Sequence, residues 1–218
     1  MMHTVEYSPG RSADIYGDPA QPTVLMWHGA QTDSRAAMRP LAERVHAHGL
    51  AVVLADWDSH ADDRGRADLL ASAARAREHA GDAPLVVVGW SMGGLAAAGL
   101  AIHAREFRVA HTVCLAGAFM VADPLSGAPL PGSLDGDPVA FTLLHGAHDD
   151  VVPAEVSRQF AESLSRHGWP VSCDVLEADH GSIAGATYNP AADRYSAATD
   201  EASLAVAADV AARIVAVL

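Results

Sequence analysis

Short apolar runs alternate with segments of helical periodicity along most of the chain. The runs fall at residues 23–27, 51–57, 85–89, 111–116, 140–144 and 171–176. Between them, apolar positions recur at three- and four-residue spacing over 34–48, 64–80, 92–105 and 154–167, and a last helical pattern covers 201–217. Leu85-Val86-Val87-Val88 is apolar at every position rather than at every second one, the pattern of a strand covered on both faces. Strands alternating with helices of this length predict βαβ units joined by right-handed crossovers. The fold class is therefore α/β, open and doubly wound, a mostly parallel sheet with helices on both faces.

Two stretches break the alternation. Residues 119–138 carry Asp123-Pro124, Pro131-Gly132, Asp135-Gly136 and Asp137-Pro138, turn signals that predict an extended loop where a crossover helix would otherwise stand. Residues 185–199 form a second irregular segment before the last helix. Neither marks a domain boundary, so residues 1–218 read as a single domain with no separate lid domain.

Composition narrows the class. Of 218 residues half are apolar and 19% are charged, enough to build a core and far from the composition of disordered chains. Fourteen basic against 27 acidic residues give a net charge of −13, which opposes binding to nucleic acid or to an anionic membrane. Two cysteines, Cys114 and Cys173, make no disulfide framework in a chain of this size. The segment Met1 to Gly10 has no basic stretch followed by an apolar one, and no apolar run approaches the roughly 18 residues of a membrane span. A cytoplasmic protein is expected. The pattern carries no signal for an oligomeric state.

The sharpest chemical feature is Gly89-Trp90-Ser91-Met92-Gly93, set where the buried strand ends and an apolar helical pattern begins. A G-x-S-x-G in that setting is a nucleophile elbow: a strained strand-to-helix turn that lifts the serine hydroxyl above the sheet, beside a helix N-terminus. Its flanking glycines are required because a Cβ there would collide with the neighbouring strand and helix. A serine hydroxyl needs a base, and the base an orienting acid. Downstream, the run 140–144 leads into His145-Gly146-Ala147-His148-Asp149-Asp150, and the run 171–176 into Glu177-Ala178-Asp179-His180-Gly181. Either Asp149 or Asp150, just past a strand's C-terminal edge, and His180 after the next strand complete a Ser, acid, His order. Earlier, Val24–Trp27 ends in His28-Gly29. The loop after it is placed to supply a backbone N–H for an oxyanion hole together with the residue following the nucleophile. These are Ala30 and Met92, with Gln31 as the alternate to Ala30.

At this point the chain resembles the α/β-hydrolase superfamily over nearly its whole length, and within it small lid-less carboxylesterases and dienelactone-hydrolase-like serine hydrolases. Asp14-Ile15-Tyr16-Gly17-Asp18-Pro19 is similar to the opening strand of kynurenine-formamidase-like esterases. The superfamily's H-G-x-x-D-x-x-V-P segment matches His145, Gly146, Asp149, Val152 and Pro153, which implies Asp149 rather than Asp150 as the acid. The resemblance maps the nucleophile to Ser91 and the base to His180. Ala30-Gln31 stands where H-G-G-G lipases carry Gly-Gly, so only the general oxyanion role carries over.

Other chemistry-bearing residues have plainer readings. His145, His148 and Asp149 cluster, as do His46 and His48, but neither group comes with a third ligand set, so no metal and no cofactor is expected. Asp56 and Asp58 follow a buried strand and are read as capping and loop-holding groups. Phe119 and Met120, at another strand end, are candidates for the substrate pocket together with Gln31. The expectation is a serine hydrolase that cleaves small carboxylic esters by a Ser-His-Asp triad through an acyl-enzyme. The same triad also serves amidases, thioesterases, lactonases and acyltransferases, and the fold alone also serves non-catalytic binding proteins. The expected partner is a small-molecule ester, with no nucleic acid and no membrane.

Overall fold

The structure is a computed structural model and describes residues 2–132, 134 and 137–218. Met1 and, in the predicted loop, Ser133, Asp135 and Gly136 lie outside the described residues. The strands are β1 (His3–Ser8), β2 (Arg11–Tyr16), β3 (Thr23–Trp27), β4 (Ala51–Ala55), β5 (Leu85–Trp90), β6 (Val109–Leu115), β7 (Ala140–Gly146) and β8 (Val171–Leu176). They form one sheet in the order β1-β2-β4-β3-β5-β6-β7-β8. β1 and β2 pair antiparallel with each other, as do β2 and β4, and the remaining six strands run parallel. The helices are α1 (Arg39–Ala47), α2 (Arg66–Ala80), α3 (Met92–His103), α4 (Ala154–Arg166) and α5 (Glu201–Val215).

The continuously apolar strands are explained by the two layers of helices. Val24, Met26, Val52, Leu54, Val86 and Val88 pack with Leu41 and Val45 of α1 and Val210 and Ile214 of α5. Their alternates, Leu25, Trp27, Val53, Leu85 and Val87, pack on the opposite face with Leu69 and Ala73 of α2 and Leu100 of α3. Successive side chains point to opposite faces, so a strand covered on both sides has no polar position to alternate with. α3 is buried from Gly93 through Ile102, because α4 and the 119–132 segment close over the side that α2 and the sheet leave open.

Several boundaries differ from the sequence reading, each for a local reason. The 34–48 pattern begins as a 3-10 turn, Arg35–Met38, and turns α-helical at Arg39, with Pro40 in the first turn where its missing N–H has no partner to lose. The 51–57 run leaves the sheet after Ala55, since the Trp57 amide donates to His28 Nε2 at 3.2 Å. The segment 185–199 is not irregular: β9 (Ala186–Asn189) and β10 (Arg194–Ala197) pair antiparallel as a separate two-stranded hairpin. Over its described residues the 119–138 stretch contains no helix, as expected. Asp123, fully buried, accepts from the amides of Leu125 and Ser126 and sits over Gly99 of α3, where a Cβ would strike its carboxylate.

Topology places the site. From β3 the chain steps outward to β4 on one side, and β5 then lies on the other side of β3. That reversal opens a crevice at the C-terminal ends of β3 and β5, where His28-Gly29 and Ser91 emerge side by side.

Candidate active site

Ser91 sits between β5 and α3 with φ 56° and ψ −117°, a strained conformation for a residue with a side chain. Backbone bonds hold it there. Its N–H donates to Leu115 O at 2.8 Å, and its carbonyl accepts from Gly94, Leu95 and Ala118. The turn closes only because its neighbours lack side chains: a Cβ on Gly89 would overlap the Gly93 carbonyl, and one on Gly93 the carbonyls of Trp27 and His28. Gly29 lies close as well, since a Cβ there would stand only 3.2 Å from that of Ser91.

His180 follows β8 and is 4% exposed. Its Nδ1 hydrogen-bonds Asp149 Oδ2 at 2.8 Å, which leaves Nε2 as the ring's other nitrogen. Trp90 Nε1 donates to the His180 carbonyl at 2.7 Å and fixes the loop from below. Asp179 steadies it from the side by accepting from the amides of Gly181 and Ser182. Asp149 lies past β7 with its side chain fully buried. Burial alone would raise its pKa, but hydrogen bonds from His145, His180 and the Val152 amide outweigh burial and hold the carboxyl well below the ordinary carboxylate range. Asp150, the alternative acid, is exposed and lines a neighbouring hollow, and among the described residues it makes no hydrogen bond to His180.

Ser91 and His180 line one cavity of about 160 Å³, together with Gly29, Ala30, Gln31, Ser34, Trp90, Val151 and Tyr195. The amide of Met92 is the first of α3 and has no carbonyl partner within the helix. Among the described residues the amide of Ala30 has no protein acceptor either. His28 lies beneath this loop, wholly buried. Its Nδ1 bonds Gly29 O at 2.7 Å, and burial pushes its pKa down to about 4, so it shapes the loop as a neutral ring. Farther out, Arg35 joins Asp33 and Asp56, with Asp56 Oδ2 at 2.9 Å, and braces the loop against the end of β4. Burial pushes Asp56 up to about 6 in spite of Arg35 and the Ser12 amide.

The structure thus brings Ser91, His180 and Asp149 together, with Ala30 and Gln31 beside Ser91. It does not bring Phe119 and Met120 there. Phe119 stacks on Phe160 of α4 with ring centroids 3.9 Å apart, and Met120 is exposed beside it, both in a separate cavity with Leu130 and Val156. A strand end fixes only the edge at which a side chain emerges, and this chain turns toward α4 rather than toward Ser91.

Besides Ser34 in the cavity wall, three residues of the site are not marked as such by the sequence. Tyr195, on β10, stands edge-on to Trp90 at 4.9 Å and 5.9 Å from the His180 ring, and burial with nearby carboxylates pushes it up to about 12. His145 belongs to a cluster that the sequence leaves without a third metal-ligand set. Its Nδ1 accepts from Ser157 Oγ at 2.7 Å, and its Nε2 hydrogen is shared between Val152 O at 2.8 Å and Asp149 Oδ2 at 3.3 Å. Val151 forms a wall of the cavity. The only hint in the sequence is the position of His145 and Val151 inside the segment that carries Asp149. Among the described residues no three His, Cys, Asp or Glu side chains converge as a metal site would require, and no helix is long and apolar enough to cross a membrane.

No protein-family model matches the chain, and no curated protein matches it in sequence. Solved structures do match in fold. MGS-M1, an alpha/beta hydrolase enzyme from a Medee basin deep-sea metagenome library, is 19% identical with a TM-score of 0.70, and the match covers 85% of each chain. Propionate-bound esterase 2 of Thermogutta terrifontis is 18% identical with a TM-score of 0.69, over 98% of this chain and 94% of that one. An esterase of Pyrobaculum calidifontis is 17% identical with a TM-score of 0.71, over the whole of this chain and 85% of that one. The fold is that of α/β-hydrolase esterases.

Proposed function

We propose that this protein is a serine hydrolase that cleaves small carboxylic esters with Ser91 as nucleophile, His180 as base and Asp149 as its orienting acid. The observation that carries the reading is the strained Ser91 turn opening onto the same cavity as His180, whose Nδ1 is already bonded to Asp149 at 2.8 Å. The fold shared with esterases supports it.

In this reading His180 Nε2 takes the Ser91 proton while Oγ attacks the ester carbonyl carbon. Asp149 holds the imidazole tautomer and stabilises the imidazolium. The carbonyl oxygen becomes an oxyanion and is met by the amides of Ala30 and Met92, each worth about 3 kcal/mol of barrier by comparison with the loss of one such donor. When the carbon–oxygen bond to the alcohol breaks, His180 returns the proton to the leaving oxygen. Water then enters, gives its proton to His180 and releases the acid, and the proton returns to Ser91.

Hydrolysis of short p-nitrophenyl esters tests this directly. Ser91→Ala is expected to lower kcat roughly 10⁴- to 10⁶-fold, and equal rates in both proteins would overturn the assignment. Paraoxon, which phosphorylates the T. terrifontis esterase, offers a second readout: mass spectrometry should find the adduct on Ser91 and none on the Ala variant.

A further inference from the structure

From the chamber beside Ser91 we infer that Gln31 is a specificity-determining residue, and that the preferred substrates carry a short acyl group with an oxygen acceptor two or three atoms from the ester carbonyl. The inference rests on the hydrolase reading above and concerns which ester it favours.

The reaction itself divides the space around Ser91. The leaving oxygen must come within hydrogen-bond reach of His180. On that side the cavity continues into a hollow of about 760 Å³ that His180, Val151 and Tyr195 share, lined further by His148, Asp150 and Tyr188. The oxyanion points to the amides of Ala30 and Met92. The remaining substituent, the acyl chain, is left with the smaller chamber of about 160 Å³ between the 29–34 loop, Trp90 and Val151. Its size admits only a short chain.

Besides the Tyr195 hydroxyl, two of its wall groups are polar and are not used by the triad: Gln31 and Ser34. Ser34 is 3% exposed, and its hydroxyl donates to Gln31 Oε1. The main-chain carbonyl of Gln31, which fixes the backbone and not the side-chain amide, accepts from the Ser59 amide at 3.3 Å. With Oε1 committed, the side chain has its two Nε2 hydrogens left, and among the described residues they find no protein acceptor. A primary amide whose oxygen is already bonded in this way has both of its donors unused, so it favours an acceptor: an ether, hydroxyl or oxo oxygen on the acyl chain. Preorganisation by Ser34 matters here, because an amide free to rotate would lose part of the gain in ordering. A plain alkyl chain in the same place would leave these hydrogens without a partner and displace the water that otherwise serves them.

p-Nitrophenyl methoxyacetate and p-nitrophenyl butanoate supply the test, because their acyl groups have nearly the same shape and differ by an oxygen in place of a methylene. The readout is the ratio of kcat/KM for the two esters, compared between wild type and Gln31→Leu, so that their different intrinsic reactivities cancel. The ratio is expected to fall roughly two- to tenfold in the variant, the worth of one net hydrogen bond. Ser34→Ala, which releases the amide, should move the ratio in the same direction and serves also if Gln31→Leu does not fold. An unchanged ratio in both variants, whatever happens to the separate rates, overturns the inference and leaves the hydrolase reading standing. A wild-type protein with no Ser91-dependent turnover of either ester overturns both.

Discussion

A buried carboxylate ordinarily holds its proton, yet Asp149 keeps its charge because four donors converge on it. Oδ1 accepts from the amides of Val151 and Val152 at 2.9 and 2.8 Å, and Oδ2 from His180 and His145. His145 is thus a positioning residue: it fixes the far side of the carboxylate so that the near side meets His180. His145→Phe removes one hydrogen bond to a charged group, worth about 1.5–3 kcal/mol, and is expected to lower Tm by roughly 3–12 °C at neutral pH. The pH dependence has a definite sign. Because Asp149 is held below its ordinary value when folded, its contribution is fully present above the ordinary carboxylate range near pH 4 and is lost as the solution is acidified through and below it. The gap in Tm between wild type and His145→Phe should therefore hold from pH 7 down to about pH 4 and narrow as the solution is acidified toward about pH 2, as thermal melts across that range would show; a gap that stays constant to about pH 2 would contradict the role given to His145. Residues at this scale are unevenly legible. Ser91 and His180 stand beside strand ends with glycine neighbours that announce a tight turn, whereas the choice of Asp149 over Asp150 needs a resemblance. The distinction lies in which carboxylate folds back onto the Val151 and Val152 amides, a contact that no periodicity encodes.

Among the elements, β5 and α3 carry the most chemistry and are the easiest to read. A four-residue apolar run, a glycine-flanked serine and an apolar helix each have one natural place in a doubly covered sheet. The segment after β6 illustrates the opposite case. Phe119 and Met120 emerge at the correct edge of the sheet, but the direction of the chain there is set by long-range packing on α4: Phe119 against Phe160, and Phe160 against Phe141 at 6.1 Å. Phe119→Ala is accordingly a stability variant. It should cost about 3–5 kcal/mol, the usual loss for a buried phenylalanine, while the ratio of kcat/KM for short and longer acyl esters stays that of wild type. A shift of that ratio beyond twofold would return Phe119 to the substrate pocket. The β9–β10 hairpin is hidden in the sequence for a related reason. Ala186–Asn189 and Arg194–Ala197 are short, mostly exposed and carry no sustained alternation, so their pairing is visible only once Tyr195 is seen against Trp90 and His180.

For the whole molecule, the alternation of strands and helices in the sequence settles the class, and the position of β3 at the centre of the strand order settles where the chemistry sits. The two parts of the site nevertheless differ in how firmly they are held. Ser91 and Asp149 belong to the eight-stranded sheet and its helices, but the wall carrying Tyr195 belongs to a hairpin that pairs with no strand of that sheet. Two strands with four paired positions are only marginally stable by themselves, and such units open before the rest of a fold. On warming, then, catalysis should fail before the protein melts: ester hydrolysis is expected to decline, and amide hydrogens of 186–197 to exchange, several degrees below the temperature at which far-UV circular dichroism records loss of the helices. Coincident curves would mean that the hairpin is bound into the same cooperative unit as the sheet. The working temperature of this protein would in that event be set by its core, and otherwise by two short strands that give that core only Ala186 and one side of Tyr195.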